Sequence, residues 1–315
     1  MKKSTKRFLF ITGTALTGIY AYNRFVSATA TQKQLLSDKD GYYYPWKNGE
    51  VYYTKRGNGS PLLLLHDTHP TASSAEWSKL RHKLEKHHTV YTLDLLGCGL
   101  SEKPGIEYTN FLYVQLITAF IKEVIQETTS VVASGLTTSF VIMTNHMDTQ
   151  LFKKIILINP VSLHKLAVLP DKCSKWKMRI LELPFIGTFI YNLLTSPTSI
   201  DKNFRNYYYM KPQLISSKLE DIYYESAHTD GSNGRYLYSS LIGNYLNNGI
   251  IHALKKLSTP TLIIGSKELK GYEQILNDYH FVNPNINITR INNGSICPHL
   301  EIPEKIACII ENFTL

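Results

Sequence analysis

From residue 50 onward, two hydrophobic periods trade places along the chain. "EVYYTKRG" (50–57) alternates apolar and polar residues, which predicts an edge strand, and Gly57 and Gly59 stop it. "PLLLLH" (61–66) is continuously apolar, as a strand covered on both faces must be. Helical spacing follows over 75–86, then a second buried strand in "TVYTLDL" (89–95). Residues 108–127 repeat apolar positions at Leu112, Leu116, Phe120 and Val124, the stripe of a helix. "SVVAS" (130–134) and "KIILINP" (154–160) read as two further strands separated by a helix.

This alternation breaks over 161–255, where helical, tyrosine-rich patterns run on without a clear strand. It resumes with a strand in "TPTLIIGS", a helix over 270–279, a strand in "NITRINNG" and a closing helix in "PEKIACIIENF". Strands alternating with helices predict an α/β protein with a mostly parallel sheet flanked by helices. The interruption predicts a helical cap inserted after the sixth strand. The expected domains are an N-terminal segment 1–30, a stalk 31–48, a core of 49–160 and 256–315, and a cap of 161–255.

The N-terminus adds a different element. Lys2, Lys3, Lys6 and Arg7 precede an apolar run from Phe8 to Tyr22. This is a positive region followed by a hydrophobic one. Ala28-Thr29-Ala30 has the small-x-small form of a cleavage site, but Arg24 between the run and that site favours an uncleaved signal-anchor over a removed signal peptide. The basic end would then stay inside, placing the domain outside the cytoplasm, or secreting it if the segment is cut. The formal charge of +9 is spread along the chain and no nucleic-acid motif accompanies it, which argues against nucleic-acid binding. Cys98, Cys173, Cys297 and Cys308 form no CxxC and no zinc-spaced cluster, so neither metal nor cofactor is expected; one disulfide remains open. Asn293-Gly294-Ser295 is a glycosylation sequon only in a glycosylating host.

Several segments together resemble the α/β-hydrolase superfamily, in its cap-bearing branch of esterases, epoxide hydrolases and haloalkane dehalogenases. "PLLLLHDTHPTASSAEWSKL" is similar to that family's strand, oxyanion loop and tryptophan helix. "VYTLDLLGCGLSEKP" resembles the next strand and loop, "PTLIIGSKE" the strand that delivers the triad acid, and "PHLEIPEKI" the segment around the catalytic histidine and the closing helix. The resemblance covers about 49–314. It implies a nucleophile at a strand–turn–helix elbow, flanked two residues away on each side by small residues that a tight turn can hold.

Two registers are open in "SVVASGLTTSF" (130–140). With Gly135 at the tip the flanking residues are Ala133 and Thr137, both small; with Ser134 they are Val132 and Leu136, both bulky. The first register fits better and puts glycine where the resemblance implies a nucleophile. Thr137, Thr138 and Ser139 are expected to cap or bond locally. The oxyanion loop departs as well, with His66-Asp67 in place of His-Gly, and Leu136 supplies the backbone N–H after the elbow. Glu268 stands at the position of the acid. Ile296 stands where the histidine would be, with His299 three residues further on. His66 and His69 are expected to make loop hydrogen bonds; His228 is a loose pocket candidate.

The leading expectation is therefore a membrane-anchored member of the fold without a serine nucleophile. It would bind a small, partly apolar molecule between sheet and cap, where tyrosines abound at 206–212, 221–228 and 234–246. The alternative is an active hydrolase of esters or related carbonyl compounds using Ser134 with Glu268 and His299. A vestigial pocket on an interaction protein, and chemistry without a serine nucleophile, are further possibilities.

Overall fold

The computed structural model describes residues 3–36 and 41–314, with the side chains of 3–13 outside the described set. Among the described residues, strands β1 (Gly41–Trp46), β2 (Gly49–Arg56), β3 (Ser60–Leu65), β4 (His88–Leu93), β5 (Thr129–Ser134), β6 (Phe152–Ile158), β7 (Thr261–Ser266) and β8 (Asn287–Ile291) form one sheet. Its order is β1-β2-β4-β3-β5-β6-β7-β8. The β1–β2 and β2–β4 pairs are antiparallel and all the others parallel. The continuous apolar runs occupy the centre. Leu62 to Leu65 and Ile155 to Ile158 are wholly buried, because helices cover both faces there.

Helix α1 is Lys3–Thr29 and α2 is Ser78–Leu84, preceded by a 3-10 turn at Ser74–Trp77. α3 (Asn110–Phe120) continues into a π-helical turn, Ile121–Ile125, that ends on Gln126 at φ 61°. α4 (Thr137–Met147) follows β5. Between β6 and β7 lie α5 (Leu163–Leu166), α6 (Lys172–Glu182), α7 (Ile186–Leu194), α8 (Pro197–Asn203), α9 (Ser217–His228), α10 (Gly234–Ile242) and α11 (Ile251–Lys255). α12 (Tyr272–Val282), α13 (Pro298–Glu301) and α14 (Pro303–Thr314) complete the chain. One core, under α3, α4 and α12, holds Phe120, Phe140 and Tyr279. The opposite face packs Trp77, Leu80, Ile306 and Ile310 from α2 and α14 against Leu62, Leu64 and Val132.

One N-terminal expectation changes. Residues 31–48 are not a free stalk. Gly41–Trp46 pairs with β2 along its length, and the N–H groups of Leu35 and Leu36 donate to the Glu225 carboxylate of α9. The aromatic "GYYYPW" is an edge strand that tolerates Pro45 because no strand lies outside it. Ala28 and Thr29 lie in the last turn of α1, so the small-x-small sequence is helical up to Thr29. Among the described residues, no helix is long and apolar enough to cross a membrane. Residues 1–2, and the side chains of the first part of the Phe8–Tyr22 run, lie outside the described set.

Candidate functional site

β5 enters the centre of the sheet fully buried, and the chain turns at Gly135 into α4. Gly135 has φ +56°, a left-handed conformation that glycine adopts at little cost, and its N–H donates to Ile158 O at 3.1 Å. The turn register with Gly135 at the tip is the one observed. Ser134 is the last residue of the strand, and its side chain points to the face occupied by α2 and α13.

The space in front of Gly135 is filled. A Cβ on that residue would lie 2.2 Å from Asp67 Cγ and 2.3–2.4 Å from its two oxygens. Asp67 Oδ1 accepts the N–H of Leu136 at 2.7 Å and that of Thr68 at 2.8 Å. Leu136 N–H is the donor that follows the elbow, so one carboxylate oxygen takes the place at which an oxyanion would collect its hydrogen bonds. Burial raises the Asp67 pKa, the two N–H donors pull it back, and the charge of Glu76 adds to the rise.

Hydroxyls lock this loop. Thr137 Oγ1 donates to His66 O at 2.7 Å and lies 2.8 Å from Thr68 Oγ1. Thr138 donates to Gly135 O and Ser139 to Leu136 O, local bonds of the first helical turn. His66 is buried with both ring nitrogens engaged: Leu95 N–H donates to Nε2 at 3.0 Å, which leaves Nδ1 to donate to Asp67 O at 2.7 Å. His69 bonds Thr71 and meets Tyr238 edge-on at 5.3 Å; burial lowers its pKa to about 4. His228, far along the cap, bonds Tyr224 O and Thr195 and is likewise lowered to about 4, chiefly by burial.

On the opposite side of β5 lies a buried polar cluster. Ser134 Oγ donates to Glu76 Oε1 at 3.0 Å, Tyr223 OH donates to Glu76 Oε2 at 3.3 Å, and His299 Nε2 stands 3.4 Å from Glu76 Oε1. His299 is fully buried and stacked on Trp77 at 4.2 Å, with no well-formed hydrogen bond at either ring nitrogen. Burial works to raise the Glu76 pKa, but His299, His66 and Ser134 outweigh it and leave the carboxyl below its usual range. In a serine-hydrolase triad the histidine stands between hydroxyl and acid. Here the acid stands between hydroxyl and histidine, so His299 is not placed to take the Ser134 proton. Glu76, Cys297 and His299 each offer one ligand atom within 4.8 Å of the others, the donor set with which this chain could hold a divalent transition metal.

Glu268 is not part of either cluster. It is exposed after β7 and accepts Asn293 N–H at 2.7 Å. The loop carrying Ile296 is pinned by Asn159, whose amide donates to Ser295 O and Ile296 O, and by Ile296 N–H donating to Tyr207 O. Those bonds hold His299 on the Trp77 side. Glu76 escaped sequence reasoning, and Tyr223 entered it only as one of the tyrosines at 221–228; the one signal for Glu76 was an acidic residue beside the tryptophan of the segment that resembles the family's tryptophan helix. The cap tyrosines fill space among themselves: buried Tyr191 and Tyr223 and half-buried Tyr208 pack against Phe204, His228 and Tyr238.

No protein-family model matches the chain. Local stretches are similar to two curated enzymes. They are 35% identical over 74 residues to 2-hydroxy-6-oxo-6-(2'-aminophenyl)hexa-2,4-dienoic acid hydrolase of Metapseudomonas resinovorans and 38% identical over 60 residues to a haloalkane dehalogenase of Agrobacterium fabrum. These stretches are 23% and 19% of this chain, and the chain spans only about a quarter and a fifth of the relatives' lengths (26% and 19%). Among solved structures, a serine hydrolase of carbazole degradation superposes with a TM-score of 0.71 at 18% identity, over 87% of this chain and 98% of that one. An α/β-hydrolase-fold protein from Burkholderia ambifaria gives 0.69 at 19%, over 86% and 97%. This chain has the α/β-hydrolase fold. A bacterial membrane phospholipase A gives 0.68 at 17% and covers 100% of this chain and 98% of its own.

Within the α/β-hydrolase fold, two cavities lie away from the elbow. One of about 360 Å³ is bounded by Leu35 and Leu36, by Lys79 and Arg81 of α2, and by Leu219 and Ile222 of α9. Another, about 730 Å³, lies between β1 and α3 and is lined by Trp46 and Phe111. Neither is lined by Asp67, Gly135, Leu136 or His299.

Proposed function

We propose that this α/β-hydrolase-fold protein performs no acyl-enzyme chemistry and serves, anchored in a membrane by its N-terminal segment, to bind a small, partly apolar molecule. The observation that carries the reading is the Asp67 carboxylate packed against Gly135 and holding the Leu136 and Thr68 N–H groups. A developing oxyanion would find those donors already taken, and no hydroxyl stands at the tip of the turn. Ser134 faces away and is bonded to Glu76. Losing a nucleophile leaves an enzyme of this class only the residual acceleration of binding and electrostatics.

The 360 Å³ cavity suits a ligand with an apolar body and an acidic end, since leucines and Ile222 share its wall with Lys79, Arg81 and Lys218. It adjoins the segment that follows α1, which would bring it close to the lipid phase. The likeness to a membrane phospholipase A over the whole chain, α1 included, supports the membrane placement. The domain would lie outside the cytoplasm, with Lys2, Lys3, Lys6 and Arg7 inside.

The test is turnover of aryl esters by purified wild type and Ser134→Ala. The expected rates are equal and at background, while fatty acids raise the wild-type melting temperature and do so less in Lys79→Ala. Ester turnover that Ser134→Ala abolishes would establish the hydrolase alternative instead.

A further inference from the structure

The cap carries an apolar face that no described residue covers. α6, "KCSKWKMRILE", buries Ser174, Met178 and Leu181. Its other side exposes Cys173, Trp176 and Ile180, and Leu183 just past the helix continues the stripe. At 100° per residue these four positions share one face. Lys177 flanks the stripe on one side, Lys172 and Arg179 on the other. An apolar stripe with a tryptophan between rows of basic residues is the pattern of a helix lying in a membrane interface. The stripe runs into the α6–α7 connection, where Phe185 and Ile186 are also exposed.

The position of this face relative to α1 decides its occupant. Tyr20 lies 6.5 Å from Phe185 and Tyr22 lies 5.4 Å from Phe189, ring to ring. Asn23 donates to Phe185 O at 3.0 Å and accepts from the Asn192 amide at 3.0 Å. The end of the apolar run therefore meets the domain at the α6–α7 tip, and the rest of the run precedes that contact along α1. Phe8 to Tyr22 makes about 22 Å of helix, short of a hydrocarbon core of about 30 Å. Because residues 31–36 and β1 are folded onto the domain, no free stalk holds it away. A short anchor of this kind draws the tip at Phe185 down to the lipid.

We infer that the α6 face, from Cys173 through Trp176 and Ile180 to Phe185, lies on an anionic bilayer surface, with Trp176 at headgroup depth and Lys172, Lys177 and Arg179 against acidic lipids. This deepens the membrane reading above and rests on it. α1 holds the chain, and α6 fixes how the domain is tilted on the surface. Each basic residue held near an anionic leaflet strengthens the contact about fivefold.

The experiment uses the full chain in phosphatidylcholine–phosphatidylserine vesicles with brominated acyl chains. Trp46 and Trp77 are 8% and 0% exposed against 65% for Trp176, so quenching by the lipid reports on Trp176. The expected result is co-flotation, with strong quenching that Trp176→Phe abolishes and that Ile180→Asp or neutral vesicles weaken. Co-flotation without quenching would overturn the α6 contact and leave the anchor standing. So would loss of flotation-independent exposure through self-association, with Trp176 shielded by a second copy. Failure to float at all would overturn the anchor and this inference together. Both substitutions are at exposed positions, and an unchanged melting temperature confirms that each variant is folded.

Discussion

The two sides of β5 hold similar chemistry in opposite arrangements. In front, Gly135 offers no side chain and Asp67 fills the gap, taking two backbone N–H groups with one oxygen. Behind, Ser134, Glu76 and His299 are joined, but in a sequence with the acid in the middle. The front has the geometry of an elbow and lacks the hydroxyl. The back has hydroxyl, acid and imidazole, all sealed from solvent. Presence of the right residue types is thus no guide to activity; the order of the contacts and the route to solvent decide it.

The comparison breaks most visibly on the buried side. His299→Ala removes a ring stacked on Trp77 and leaves Glu76 without its imidazole partner. Urea denaturation should show a loss of about 3–5 kcal/mol, and Glu76→Gln in the same chain should recover part of it. A loss below about 1 kcal/mol would mean that the pair is solvated and the two sides are alike. On the front, Gly135→Ala forces a Cβ against Asp67 in a left-handed turn, at a cost of roughly 1–3 kcal/mol. Adding Asp67→Gly should offset the clash but not the dihedral strain, so a double-mutant cycle should show coupling; additivity would remove Asp67 from the elbow.

A pH dependence sharpens the same contrast. His69 in front and His228 in the cap are held down to about 4 in the folded chain, against about 6.5 when unfolded. The unfolded chain therefore binds the protons first. Stability is full above about pH 6.5 and falls as pH drops towards 4, by at most about 1.4 kcal/mol per unit for each histidine. Replacing His228 with Gln should flatten that limb in denaturation curves between those values; an unchanged slope would contradict the burial account. The smallest effect is chemical. Cys98 and Cys297 are buried free thiols with pKa raised chiefly by burial, while Cys173 and Cys308 are exposed. A maleimide should modify the exposed pair in the native protein and reach Cys297 only on unfolding.

Much of the fold was legible because the central strands are continuous apolar runs, and a run such as "KIILI" has few alternatives once helices bracket it. The stretch in which that signal stops is the one that holds α5 to α11 between β6 and β7. "GYYYPW" was read as part of a stalk because an edge strand with a proline lacks the buried run. The turn at Gly135 followed from side-chain size alone: Ala133 and Thr137 fit a tight turn where Val132 and Leu136 do not. What no sequence rule gave was the pairing across the chain. Asp67 meeting Gly135, and Glu76 meeting Ser134, Tyr223 and His299, are contacts between segments from 58 residues apart (Glu76 and Ser134) to 223 apart (Glu76 and His299). Local pattern carries no information at that range. Glu268 could be placed by spacing, yet its contact with Asn293 depends on the loop after β8.

The central claim is that the front of β5 carries no activated hydroxyl. Treating the purified wild-type chain with a serine-reactive phosphonate and mapping adducts by mass spectrometry addresses it directly. The account predicts no adduct at any serine of the elbow, under conditions in which an active serine hydrolase is fully labelled. A stoichiometric adduct on Ser134 would contradict it, because that hydroxyl would then have to leave Glu76 and face the solvent side of the turn.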